Sequence, residues 1–196
     1  MPLLPNLETT EWTNLWYEHA PDGETPRVLL IGDSISMGYR HLVEENLNGK
    51  YHVTCISTSK AIDNPYLLRE ITLLTEQDDV PYAIVHFNNG AHGGHLTPDM
   101  YEKHYDRFIR TLKAMFPDAK FIMATTTHMM DENYNNSSLL RNERARKLAE
   151  KYDLIIDDLY PIGAQNPSLH CEDRIHFTDE GWKVLADAVT ESILSV

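Results

Sequence analysis

Three short segments carry residue types that could do chemistry together. The first is "RVLLIGDS", residues 27–34, in which four apolar residues run straight into Gly32-Asp33-Ser34. A continuous apolar run ending on glycine reads as a buried strand leaving through a tight turn. Ser34 then stands where a helix begins, among free N–H groups and at the positive end of the helix dipole. That setting suits a nucleophilic hydroxyl passing through an oxyanion. Serine is equally a favoured helix N-cap, so this octapeptide alone supports either reading. The second segment is "EDRIHFTDEGW", residues 172–182, with Asp173 three residues before His176. If the turn folds Asp173 onto imidazole Nδ1, Nε2 is left to take a proton from Ser34. A surface Asp–His pair that only shapes its turn is the plainer alternative. The third is "VHFNNGAHGGH", residues 85–95. The side-chain amide of Asn88 or Asn89 could serve as an oxyanion donor, a contribution of about 3–4 kcal/mol where it operates. Asn-Asn-Gly is also a good turn.

These segments meet only if the fold brings them to one edge. Strand and helix patterns alternate along the chain. "RVLLIGDS", "YHVTCIS", "YAIVHF", "KFIMATTT" and "LIIDDLY" read as five strands. Between and after them lie "SMGYRHLVEENLNG", stopped by Asn48-Gly49, and "NPYLLREITLLTEQ" with Pro65 in its first turn. "TPDMYEKHYDRFIRTLKAMF" is capped by Thr97 and closed before Pro117; "SLLRNERARKLAEKY" and "TDEGWKVLADAVTESIL", capped by Thr178, complete the helices. Strands separated by helix-length segments imply right-handed parallel crossovers, and near-continuous apolar strands imply a sheet covered on both faces. The expected fold is α/β: a three-layer α/β/α sandwich with a five-stranded parallel sheet in the flavodoxin-like order 2-1-3-4-5. In such a sheet the carboxyl ends of strands one and three flank the order reversal, where ligands bind. Ser34, the Asn88-Asn89 pair and the loop holding His176 all fall at that edge.

Gly32-Asp33-Ser34 with Ser36, the asparagine after the third strand, and Asp173-x-x-His176 before a glycine-containing helix together resemble the GDSL/SGNH hydrolase superfamily, in the family's order and over residues 27–182. The resemblance implies Ser34 as nucleophile and Asp173 and His176 as its partners. It implies oxyanion donors at the Ser34 N–H, at a glycine N–H after the second strand, and at the third-block asparagine. The usual Gly-x-Asn-Asp is replaced by "HFNNG", a variant block by which Asn88 is the expected donor and Asn89 the fallback. The expected glycine is replaced too, since "CISTSKAIDN" offers Ser59 or Lys60. Negative φ would let either present its N–H. The resemblance implies a cofactor-free serine esterase acting on a short acyl group such as acetyl, carried on a carbohydrate. Asp33, Asn64, His92, His95 and His128, with Asn133, are the expected contacts to a hydrophilic alcohol.

Other classes draw less support. Gly-x-Ser-x-Gly is absent, so Ser34 is not the nucleophile elbow of an α/β-hydrolase, and there is no nucleotide-binding fingerprint. His92, His95 and His128 could suggest a metal-dependent hydrolase, but no H-E-x-x-H occurs, and no metal is expected. A non-catalytic ligand-binding module on the same fold is the remaining alternative, motivated by the two altered oxyanion blocks. His86 reads as a satisfied core histidine, and Met123, Met129 and Met130 as core or pocket filling. A net charge of −13 disfavours nucleic acid as a partner, and no apolar run is long enough for a membrane span. Cys55 and Cys171 read as two free thiols. The chain of 196 residues fits a single domain, 1–196, with a leader over residues 1–26 packing on it. Trp12 and Trp16, four apart, would share a helix face in that leader. The leader has no basic n-region, so no signal peptide is expected; a cytoplasmic protein, or a secreted one whose leader was removed, fits. Oligomeric state is not readable from the sequence.

Overall fold

A computed structural model describes residues 7–77 and 80–196; residues 1–6 of the expected leader lie outside that range. Six strands and six α-helices, among the described residues, build the sheet and its cover. The strands are β1 (Thr13–Tyr17), β2 (Arg27–Gly32), β3 (His52–Thr58), β4 (Tyr82–Phe87), β5 (Lys120–Ala124) and β6 (Ile155–Asp157). The helices are α1 (Ser34–Leu47), α2 (Pro65–Thr75), α3 (Pro98–Met115), α4 (Glu132–Tyr152), α5 (Tyr160–Gln165) and α6 (Asp179–Leu194), and a 3₁₀ turn spans Pro167–Leu169. Their stop and start signals are local. Asn48 and Gly49 end α1 in the left-handed region, Asn64 and Thr97 cap α2 and α3 ahead of prolines, and Thr178 caps α6.

The sheet differs from expectation in strand number and overall order. It has six strands in the order β1-β3-β2-β4-β5-β6 and is mixed. The five strands β2 to β6 pair in parallel. The addition is β1, which pairs antiparallel to β3, Thr13 opposite Thr58 and Tyr17 opposite Thr54. The leader is therefore an edge strand, not a helix, and Trp12 and Trp16 do not share a helix face. Its ladder to β3 satisfies backbone groups that a five-stranded sheet would leave open at that edge. Two further differences are local. α4 begins at Glu132, capped by Asp131, ahead of the expected start, and α5 was not expected, because "YPIGAQ" contains both proline and glycine.

Both faces of the sheet are buried, and alternate strand residues serve opposite cores. Leu29 and Ile31 pack with Ile71 of α2, Phe108 of α3 and Leu148 of α4. Val28 and Leu30 pack with Val43 of α1 and Val189 of α6. This gives the three layers, and it explains why β2 is apolar without alternation. His86 is buried and contacts Asp157 at 2.9 Å across β5, as a core histidine should. Cys55 and Cys171 are unbridged. Among the described residues no helix is long and apolar enough to cross a membrane.

Candidate active site

Ser34 is the first residue of α1, immediately past the carboxyl end of β2. It does not cap the helix; Asp33 does, accepting from the Ile35 N–H at 2.9 Å. Gly32 is required behind it, because a Cβ there would meet Ser36 Oγ at 2.6 Å. Ser36 Oγ in turn donates to the Asp33 carbonyl and contacts Ser57, which pins the turn from below. The Ser34 hydroxyl is thus held at a helix N-terminus with its side chain unoccupied by local bonds.

His176 Nε2 lies 2.8 Å from Ser34 Oγ, and His176 Nδ1 lies 2.6 Å from Asp173 Oδ2. The turn makes this possible. Arg174 takes φ +67°, the left-handed region, which folds the carboxylate back over the following residues. Asp173 Oδ1 then accepts from the backbone N–H of Ile175 and of His176, both at 2.9 Å. The His176 bond first, and then these two N–H groups, hold the Asp173 carboxyl down at about 2. The carboxylate is therefore charged whenever the imidazole is in use. The loop itself is fastened on both sides. The Cys171 N–H donates to the His176 carbonyl, that of Thr178 to Leu169, and that of Met130 to Arg174, whose guanidinium donates back to the Met130 carbonyl. Trp182 on α6 neighbours the His176 ring, with centroids 6.5 Å apart, and packs against Gly38, where a Cβ would sit 2.6 Å from the indole. Gly38 thus lets α6, and with it the histidine loop, approach α1.

The asparagines part company. Asn88 directs its amide N–H groups to the Ala124 carbonyl at 2.8 Å and to Thr126 Oγ1 at 3.2 Å. Both hydrogens are committed to the β5 side, so Asn88 does not offer the free donor expected of it. Asn89 donates to the Lys60 carbonyl at 2.8 Å. Because β2 lies between β3 and β4, a bond from the end of β4 to the segment after β3 must pass over the carboxyl end of β2, where Ser34 stands. One amide hydrogen of Asn89 remains, and its Oδ1 is buried without a partner. The post-strand donors also differ from expectation. The Ser59 N–H donates to the Trp12 carbonyl, its hydroxyl binds Glu11 and Trp12, and the Lys60 N–H reaches Thr58 Oγ1. The segment leading into β1 takes up the Ser59 groups, and the Lys60 N–H is held within its own turn.

Of the six residues expected to meet an alcohol, only His92 lines the cleft above Ser34. That cleft has a volume of about 650 Å³. Asp33 and Asn64 are helix caps. His95 pairs with Asp63 at 2.9 Å, away from Ser34's cleft. His128 packs against Tyr160 and His170, where burial first, and His170 second, lower its basicity. Asn133 lies in the first turn of α4. His92, His95 and His128 have separate partners and, among the described residues, do not form a metal-binding group.

The sequence reading missed two contributors. The leader walls the cleft: Glu8, Thr9 and Thr10 line it, and Glu8 Oε1 meets His92 Nδ1 at 2.8 Å across its mouth. Tyr134 and Ile175 add apolar surface. Arg141, buried in α4, donates to the carbonyls of Gly90, His92 and Gly93 and so fixes the loop after β4. Its signal was present, since Arg141 shares a helix face with buried Ser138, Ala145 and Leu148. A charge on a buried face needs partners there.

No family model matches the chain, and no curated protein matches it by sequence. Solved structures do match. An acetyl xylan esterase superposes with a TM-score of 0.68 at 22% identity, covering 85% of this chain and 99% of that one. The chain has the fold of GDSL-like lipases and acetyl xylan esterases. A lipase/acylhydrolase from Enterococcus faecalis gives a TM-score of 0.70 at 16% identity, covering 87% of this chain and 96% of its own. A GDSL-like lipase from Bacteroides thetaiotaomicron gives 0.67 at 16%, covering 86% and 88%. At identities of 16–22% the likeness speaks to fold.

Proposed function

We propose that the protein is a serine ester hydrolase that removes a short acyl group, acetyl above all, from a carbohydrate. The observation that carries the reading is the unbroken chain Ser34 Oγ, His176 Nε2, His176 Nδ1, Asp173 Oδ2, with steps of 2.8 and 2.6 Å. Ser34 Oγ attacks the ester carbonyl carbon while His176 Nε2 takes its proton. Asp173, already ionised, stabilises the imidazolium and fixes the tautomer. The tetrahedral oxyanion is held by the Ser34 N–H at the start of α1 and by the remaining amide hydrogen of Asn89. As the intermediate collapses, His176 returns the proton to the departing alcohol and the acyl group stays on Ser34. Water then enters, gives its proton to His176 and frees the carboxylic acid. His176 is 37% exposed, so that water reaches it from the cleft.

The cleft, lined by polar Glu8, Thr9, Thr10 and His92 together with Tyr134 and Ile175, supports a polar alcohol with an apolar face, as a sugar presents. Two of the structurally similar proteins are esterases of acetyl xylan. The test is turnover of p-nitrophenyl acetate and of acetylated xylo-oligosaccharide by the native chain and by Ser34→Ala, with fluorophosphonate labelling followed by peptide mapping. Turnover abolished in the variant, with the label on Ser34, is the expected result. A chain that neither turns over short esters nor takes the label is a binding module instead.

A further inference from the structure

The edge of the sheet opposite Ser34 carries a second cluster that the reaction does not use. We propose that His19, His52 and Glu44 bind a first-row divalent transition metal ion, zinc by ligand type, with Asp22 orienting His52. The ligands come from three segments: the turn between β1 and β2, the last third of α1, and the first residue of β3. Glu44 lies about 15 Å along α1 from Ser34 at about 1.5 Å rise per residue, so this is a separate place from the cleft. It is also distinct from the rim histidines weighed in the sequence.

Geometry supports the assignment. Glu44 Oε1 lies 3.0 Å from His52 Nδ1 and 3.4 Å from His19 Nε2, and the three ligand atoms all fall within 4.8 Å of one another. Ligands of a tetrahedral zinc at about 2.0–2.1 Å stand roughly 3.3 Å apart. Two imidazoles and a carboxylate form a recognised zinc set, with a water as the fourth position. The other nitrogen of His52 lies 3.0 Å from Asp22 Oδ2, the carboxylate–histidine arrangement that puts the proton on Nε2 and turns the Nδ1 lone pair toward the ion. Asp22 is itself fixed, accepting from the N–H groups of Glu24 and Thr25 and from the Thr25 hydroxyl. The second carboxylate oxygen of Glu44 accepts from the Val53 N–H.

The environment of His52 sharpens the point. It is buried and faces a carboxylate at each ring nitrogen, yet a neutral imidazole has only one N–H to give. A cation between Nδ1 and Glu44 resolves the conflict. The rival is an imidazolium that satisfies both carboxylates and binds nothing. His19 supplies a further observation. It takes φ +49°, in the left-handed region, and its ring stands 4.2 Å from that of His52, nearly parallel. Its side chain is 60% exposed, so it can tilt onto an ion and gives the ion a path in. A metal here would tie the leader to α1 and β3, the elements that carry its far end toward the cleft.

Metal-stripped full-length protein, dialysed against Zn²⁺, is expected to take up one equivalent per chain. His19→Ala, an exposed substitution, should weaken binding at least tenfold, and Asp22→Asn about 10–100-fold. Co²⁺ should give the visible d–d bands of a tetrahedral site with nitrogen ligands in the native chain and lose them in His19→Ala. Zn²⁺ should raise the melting temperature of the native chain and not that of the variant. Uptake well below one equivalent supports the imidazolium and overturns the proposal. So does uptake that survives both His19→Ala and His52→Gln, or that is lost in His92→Ala, which would place the ion in the cleft. None of these readouts depends on esterase activity.

Discussion

The Ser34–His176–Asp173 group and the asparagine pair share one edge of the sheet but are held there by different kinds of structure. Asp173 and His176 are three residues apart, and their contact is made by a single turn with Arg174 in the left-handed region. That turn meets Ser34, whose place is set by the end of one strand and the start of one helix. Asn88 and Asn89 are adjacent in sequence, yet one amide reaches toward β5 and the other across β2 to the segment after β3. Short-range chemistry fixes the first group. Cross-strand competition for hydrogen bonds decides the second, and an adjacent pair of identical residues cannot announce which way each will face.

The contrast can be broken by substitution. The largest effect is expected at the local group: Ser34→Ala or His176→Ala should lower kcat on p-nitrophenyl acetate by about 10⁴–10⁶-fold. Asp173→Asn should cost about 10³–10⁴-fold while leaving KM nearly unchanged, because the tautomer and the imidazolium lose their support. Next comes the distributed group. Asn89→Ala should lower kcat by about 10²–10³-fold. Asn88→Ala should instead act on stability, by about 1–3 kcal/mol in denaturant titration, because the Ala124 carbonyl and Thr126 lose a buried donor. If the two variants exchange these phenotypes, the division drawn between the asparagines is wrong. Ser59→Ala should change kcat least of all.

Acid sharpens the same comparison. The Asp173 carboxyl is depressed to about 2 from 3.8, chiefly by its bond to His176. A group lowered in the folded state contributes its stabilisation above its unfolded value and loses it as pH falls through its folded value. The carboxylate therefore persists until the pH approaches about 2. kcat/KM should fall on the acid side through one ionisation, with no second inflection until the pH approaches about 2–4, and Asp173→Asn should alter its height more than its shape. A profile needing two ionisations above that range would contradict the turn geometry.

The extent to which the fold was legible follows the same line. The helix caps at Thr97 and Thr178, the stop at Asn48-Gly49 and the alternating cores of β2 depend on neighbours in sequence, and the structure has them as read. β1 was not legible, because its five residues are only half-buried and carry no strong alternation; what makes them a strand is the open edge of β3. The same edge explains the displaced expectation for Ser59, whose N–H looked available until Trp12 arrived to accept from it. His95 was placed at the cleft by its position after a strand, but Asp63 holds it elsewhere. Arg141 could have been suspected from its helical face, though not the three carbonyls it binds.

The leader's placement has a further consequence for how this molecule can change. Residues 8–10 frame the cleft, while Ser34, Asp173 and His176 belong to the body behind it. On the proposed esterase reading, sequence drift within residues 7–12 would retune which esters are admitted and leave turnover chemistry untouched. Exchanging that one terminal ribbon between related chains is the graft through which a new preference would be transplanted, with the zipper of β1 along β3 keeping the transplant in register.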